Sequence, residues 1–141
     1  MTNAETLRAF FADVWNGGDV AACDRYLAPQ YAILSDPGDP WDGQILSVEG
    51  FKARMTTSRA PFPEQCFHIE TLLEAGDDVM VSWTWTGTHL GDLPGFPASG
   101  REFTLKGMTH YVFEAGRIRG HWQVVDRLGL VTQLQAASRG Q

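Results

Sequence analysis

Asp126 is the residue of this 141-residue chain whose type and setting most invite acid/base chemistry. If the run from Arg117 to Asp126 alternates regularly as a strand, Ile118, Gly120, Trp122, Val124 and Asp126 share one face. A carboxylate on an apolar face is costly to bury as an anion, so its pKa rises toward neutrality and it becomes a usable base. The same residue could instead pair with Arg127 or cap a helix over Leu128 to Leu134. Both readings stay open from the residues alone. By parity His89 lies with Trp83 and Trp85, where a neutral imidazole could donate to a carbonyl or orient a carboxylate; a satisfied core histidine is the alternative. His110 shares its parity with Thr104, Lys106 and Met108, whereas Tyr111 falls with Phe103, Leu105, Thr109 and Phe113. Tyr111 is therefore the pocket candidate unless Gly107 marks a bulge that flips the register, and His110 is an assisting group if it does. Trp15, Tyr31, Trp83, Trp85, Tyr111 and Trp122 are the candidate substrate contacts. His121 counts as outward, on a face suited to subunit contact with Thr84, Thr86 and Gln123, and His68 beside Glu70 reads as solvated.

Other chemistries find little support. Four histidines without an i, i+4 pair make no zinc pattern. Asp36, Asp39 and Asp42 stand three apart in a Pro-rich loop unlike a calcium-binding loop, so no metal is expected. There is no G-x-S-x-G, phosphate-binding loop or dinucleotide fingerprint, and no cofactor is expected. Cys23 and Cys66, too few for a disulfide framework, read as small buried hydrophobes.

The elements that must position these groups fall into two blocks. Leu7, Phe10, Phe11 and Val14 recur at helical spacing behind a Thr2-x-x-Glu5 capping box, and Gly17-Gly18 ends that helix. Asp19 predicts a second helix from Val20 to Ala28, stopped by Pro29. Tyr31 to Leu34 reads as a short strand, residues 35–43 as a loop over a site entrance, and Ser47 as the cap of a third helix carrying Val48, Phe51 and Met55. From Cys66 the period becomes two: Phe67, Ile69, Thr71 and Leu73 alternate with Cys66, His68, Glu70 and Leu72, with a turn at Ala75 to Asp78. Further strands run to His89, from Arg101 to Phe113 and from Arg117 to Asp126, around a Gly/Pro-rich loop over 90–100. Three helices followed by a meander predict an α+β architecture, with the helices on one side of a strongly curved, mainly antiparallel sheet whose interior suits a ligand. A single domain over 1–135 is expected, with a frayed tail over 136–141.

Composition narrows the partner. Eleven basic against seventeen acidic residues give a net charge of −6, which offers no footprint for nucleic acid or anionic membrane. No apolar run approaches the ~20 residues of a membrane helix, and the N-terminus lacks a basic segment followed by an apolar core, so a cytoplasmic location is the expectation. Five Trp, three Tyr and eight Phe make up 11% of the chain; they fill a large core or line a pocket.

Several motifs together resemble the SnoaL-like polyketide cyclase family. They are Trp85-Thr86-Gly87-Thr88-His89, Gly95-Phe96-Pro97, Gly100-Arg101, Gly107, Phe113-x-x-Gly116-Arg117-Ile118, His121-Trp122 and Asp126-x-x-Gly129-Leu130-x-x-Gln133-Leu134, with Glu49 to Lys52 and Phe62-Pro63 upstream. The resemblance implies the nuclear transport factor two-like cone and a homodimer. It also implies cofactor-free aldol cyclisation of a hydrophobic keto substrate, with Asp126 at the position of the acid/base aspartate. Gln123 departs from the pattern, standing where an acid is common after the His-Trp pair. Related chemistry on the same cone is the alternative: isomerisation, hydroxylation with a reductase, or epoxide opening, the last disfavoured because no acid follows Glu102 on its strand. A non-catalytic dimeric ligand-binding protein is the other.

Overall fold

The structure, a computed structural model, describes residues 1–140. Helix α1 (Asn3–Phe10) starts at the capping box: Glu5 N–H donates to Thr2 Oγ1 (3.1 Å) and Thr2 N–H to Glu5 Oε2 (3.3 Å). It runs on as a π-helical stretch, Phe11–Asn16, that buries Phe11, Val14 and Trp15. The predicted second helix is shorter than its sequence pattern. A 3-10 turn at Val20–Ala22 leads into α2 (Cys23–Tyr26), and the chain is already extended at Leu27. Pro29 forces Ala28 out of helical geometry, and Leu27 pairs with Ile118, so β1 takes Leu27–Ser35. A short β2 (Ile45–Ser47) precedes α3 (Val48–Arg59), which Ser47 caps through Gly50 N–H (3.0 Å). Strands β3 (Cys66–Ala75), β4 (Asp78–Thr88), β5 (Glu102–Glu114) and β6 (Arg117–Val125) form the meander. A fourth helix, α4 (Arg127–Arg139), follows. It buries Leu134 and Ala137, so the segment from Ala136 expected to fray is helical through Arg139; Gln141 lies outside the described residues.

The six strands form one curved sheet in the order β2-β1-β6-β5-β4-β3, antiparallel except where β1 runs parallel to β6. Helices α1 and α3 cover its inner face, where Phe10 meets Phe51 (6.1 Å between ring centres) and Tyr111 (6.3 Å). This is the α+β cone of the nuclear transport factor two-like fold.

Two bulges decide which side chains face inward. Val112 pairs with Gly120 while the adjacent Phe113 pairs with Ile118, so β6 carries one extra residue there. Ile118 is buried on one side of this bulge and His121 on the other, although their parities differ. A second shift between Ile69 and Thr71 turns Leu72 toward the core and exposes Leu73, where regular alternation put Leu73 with Phe67 and Ile69.

Candidate active site

Between the sheet and α3 lies a cavity of 420 Å³. Trp15, Tyr31, Trp83, Trp85 and Tyr111 line it, together with Trp41, Phe62, Phe67, Arg54, His121, Gln123 and Arg127. The remaining predicted residues stand elsewhere. Trp122 is 51% exposed on the opposite face of the sheet, because the bulge at Gly120 reverses the alternation on which its inward placement rested. The same reversal turns His121 and Gln123 inward, away from the outer face assigned to them. Asp126, one residue beyond β6, is exposed and does not reach the cavity; its Oδ1 accepts Gly129 N–H (2.8 Å) as the cap of α4. His110 sits on the outer side and pairs with Asp78 (2.7 Å). His89 is buried, but its ring stacks near Phe62 and Phe103 and its Nδ1 accepts Ser99 N–H (3.3 Å), outside the cavity wall.

The buried acid is Asp36, in the loop after β1. The loop folds on its own carboxylates: Asp36 N–H donates to Asp42 Oδ1 (2.7 Å) and Trp41 N–H to Asp39 Oδ1 (2.8 Å). Asp36 thereby reaches a site where it is 0% exposed and two hydrogen-bond chains converge on Oδ2. In one, Tyr31 Oη lies 2.5 Å from His121 Nδ1 and His121 Nε2 lies 3.3 Å from Asp36. In the other, Trp83 Nε1 donates to Thr109 Oγ1 (2.9 Å), Thr109 to Gln123 Oε1 (2.7 Å), and Gln123 Nε2 to Asp36 (3.0 Å). Arg127 Nη2 donates to the other carboxylate oxygen (2.9 Å) while its Nε donates to Pro37 O (2.9 Å).

These partners set the charge states. Burial pushes the Asp36 carboxyl up, but hydrogen bonds and charge from His121 and Arg127 outweigh it and hold the group below its ordinary value, so Asp36 is an anion. Burial lowers His121, against the pull of the Asp36 hydrogen bond, so the imidazole is neutral at pH 7. An ionised carboxylate only accepts, which assigns the His121 proton to Nε2 and leaves Nδ1 to accept the Tyr31 hydroxyl. Burial raises Tyr31 well above the usual phenol range, so it holds its proton. The result is an ordered chain, Tyr31 O–H to His121 to Asp36, with its open end on an aromatic cavity. A neutral imidazole there can take a proton through Tyr31 and return it, and Asp36 stabilises the imidazolium in between.

An acid–arginine–acid arrangement also assembles, with Arg54 Nη2 3.5 Å from Asp36 and 3.2 Å from Asp39. Burial raises the Cys23 thiol to about 11, so it is no nucleophile at neutral pH. Among the described residues no group of three His, Cys, Asp or Glu could hold a metal ion, and no helix is long and apolar enough to cross a membrane.

Sequence reasoning missed Asp36, His121 and Arg54. The available signals were Gly120 inside a strand, which marks a bulge, and Arg54 three residues after the buried Phe51 on the same helix face.

The model of the SnoaL-like polyketide cyclase family matches residues 5–134. A crystal structure of a provisionally assigned polyketide cyclase from Acidithiobacillus ferrooxidans is 48% identical, with a TM-score of 0.93 over 96% of both chains. Wild-type IdmH from Streptomyces antibioticus, also a provisionally assigned polyketide cyclase, is 25% identical with a TM-score of 0.81, over 96% of this chain and 99% of that one. Aklanonic acid methyl ester cyclase DauD of Streptomyces sp. strain C5 is 27% identical over 124 residues, 86% of this chain and 75% of the relative.

Proposed function

The chain belongs to the SnoaL-like polyketide cyclase family, and from that premise we propose that it is a cofactor-independent enzyme catalysing intramolecular aldol-type cyclisation of a hydrophobic keto substrate, with Tyr31 and His121 as its acid/base pair. The observation that carries this reading is the Tyr31–His121–Asp36 chain ending on the cavity. The site reading moves the catalytic role from Asp126 to His121. Asp126 is spent on a helix cap, and Gln123, which replaces the acid common to the motif, donates to the Asp36 carboxylate instead.

The steps balance without any added group. The Tyr31 oxygen takes the proton α to a substrate carbonyl while its own proton passes to His121 Nδ1; the C–H electron pair becomes the enolate, and Asp36 steadies the imidazolium. The enolate carbon attacks a second carbonyl of the same molecule and forms the new C–C bond. The resulting alkoxide takes a proton from Tyr31 as His121 returns its proton to the phenol oxygen. The walls of Trp15, Trp83 and Trp85 favour a flat, conjugated substrate and hold its two ends together, which supplies part of the acceleration by proximity. The family resemblance further supports a homodimer, with a second copy on the outer sheet face where Met80, Met108, Trp122 and Val124 are exposed.

Exchange of α-protons from aromatic β-diketones in D2O, followed by NMR, tests the relay without the native substrate. Wild type should accelerate exchange, and His121→Gln should lose about 10²–10⁴-fold of that acceleration. A His121→Gln variant that exchanges as fast as wild type would overturn the assignment.

A further inference from the structure

The cavity also holds a cation that the relay does not use. Arg54 lines it at only 5% exposure, with its guanidinium carbon 5.8 Å from the Trp15 ring centre, 6.0 Å from Trp41 and 5.7 Å from Phe51. Of its five N–H donors, one on Nη2 serves Asp39 (3.2 Å) and Nη2 stands 3.5 Å from Asp36 as an ion pair, while the buried Nε has no acceptor. Arg127, the other cavity cation among the described residues, is differently placed, with Nε on Pro37 O and Nη2 on Asp36. The charge of Arg54 is felt at both tyrosine hydroxyls and at His121, so it lies within electrostatic reach of the place where a proton would be lost.

We propose that Arg54 is the oxyanion-binding residue of this cavity, receiving the enolate oxygen of a planar, conjugated keto substrate stacked beside Trp15 and Trp41. The inference rests on the acid/base reading above and adds the group that stabilises the charge this reading creates. When the α-proton moves to Tyr31, one negative charge appears on the substrate oxygen, and a guanidinium with unused donors in an aromatic-walled cavity meets that charge without reorganising. Arginine rather than lysine suits the position, because a planar fork can hold a carboxylate on one edge and an oxyanion on another beside aromatic rings.

The test uses 2-naphthol, a planar hydroxyarene whose anion has its own absorption band and mimics an enolate. Bound to wild type, it should ionise about one pH unit lower than free, a ten-fold enrichment of the anion. Arg54→Gln should abolish that shift and weaken naphtholate binding about ten-fold, leaving the affinity for neutral naphthalene unchanged. Wild-type protein that binds 2-naphthol without lowering its pKa overturns the proposal, whether or not any variant folds. So does an Arg54→Gln variant that keeps the shift. His121→Gln separates the two readings: it should keep the naphthol shift while losing α-proton exchange, and loss of the shift in His121→Gln with its retention in Arg54→Gln would assign the effect to the histidine and overturn the role given to Arg54.

Discussion

His121 is held neutral between a phenol and a carboxylate, and the arrangement fixes how the protein should respond to acid. Tyr31, Arg54 and Arg127 surround His121 and Asp36, and both of these have pKa values below their ordinary ones. The unfolded chain therefore binds protons that the native state resists, so stability rises with pH through both ranges. As pH falls, a first loss should begin near the ordinary histidine value of 6.5 and a second near the ordinary aspartate value of 3.8. Urea denaturation across pH 3 to 8 should show both, with the upper one missing from His121→Gln. Asp36→Asn removes the buried anion that Arg127 and His121 are arranged around, and should cost about 3–5 kcal/mol, read in the same experiment. Asp126 separates the cap from the catalytic role. Asp126→Ala should cost about 1 kcal/mol of stability and leave α-proton exchange within about two-fold of wild type.

One extra residue in β6 places the site. Gly120 packs where β1 comes close: a Cβ there would lie 2.5 Å from the Ala32 carbonyl oxygen. Gly120→Ala should therefore push β1 away from β6 and loosen the loop that carries Asp36. We expect a loss of about 1–3 kcal/mol, with exchange activity reduced more than in Asp126→Ala. Calorimetry with the exchange assay checks both; an unchanged melting temperature would contradict the close approach. Gly107 is another strand glycine, and there the reason is a ring rather than a bulge, since a Cβ would meet Trp83 at 2.3 Å. That is why Tyr111 keeps the inward parity of its strand and lines the cavity.

Over the whole molecule the apolar residues divide between two faces of one sheet. The inner face closes on the cavity, while Met80, Met108, Trp122 and Val124 stand exposed on neighbouring strands of the outer face. If a second copy covers them, as proposed, Trp122→Glu should convert the dimer to monomer in light scattering at micromolar concentration. A wild-type monomer under the same conditions would remove that proposal.

The amino-acid sequence by itself carried the helix caps at Thr2, Asp19 and Ser47, the change of period at Cys66, the family motifs and the aromatic wall of Trp83, Trp85 and Tyr111. Each of these depends on neighbours a few residues apart or on strict alternation, and such signals survive in a linear reading. Which acid and which histidine face the cavity was decided only by the tertiary structure. The insertion that turns His121 inward exists only through the pairing of β6 with β5 and β1, and Asp36 becomes a buried anion only when His121, Gln123 and Arg127, 85 to 91 residues away, supply its hydrogen bonds. Long-range pairing sets both, and no local pattern encodes it.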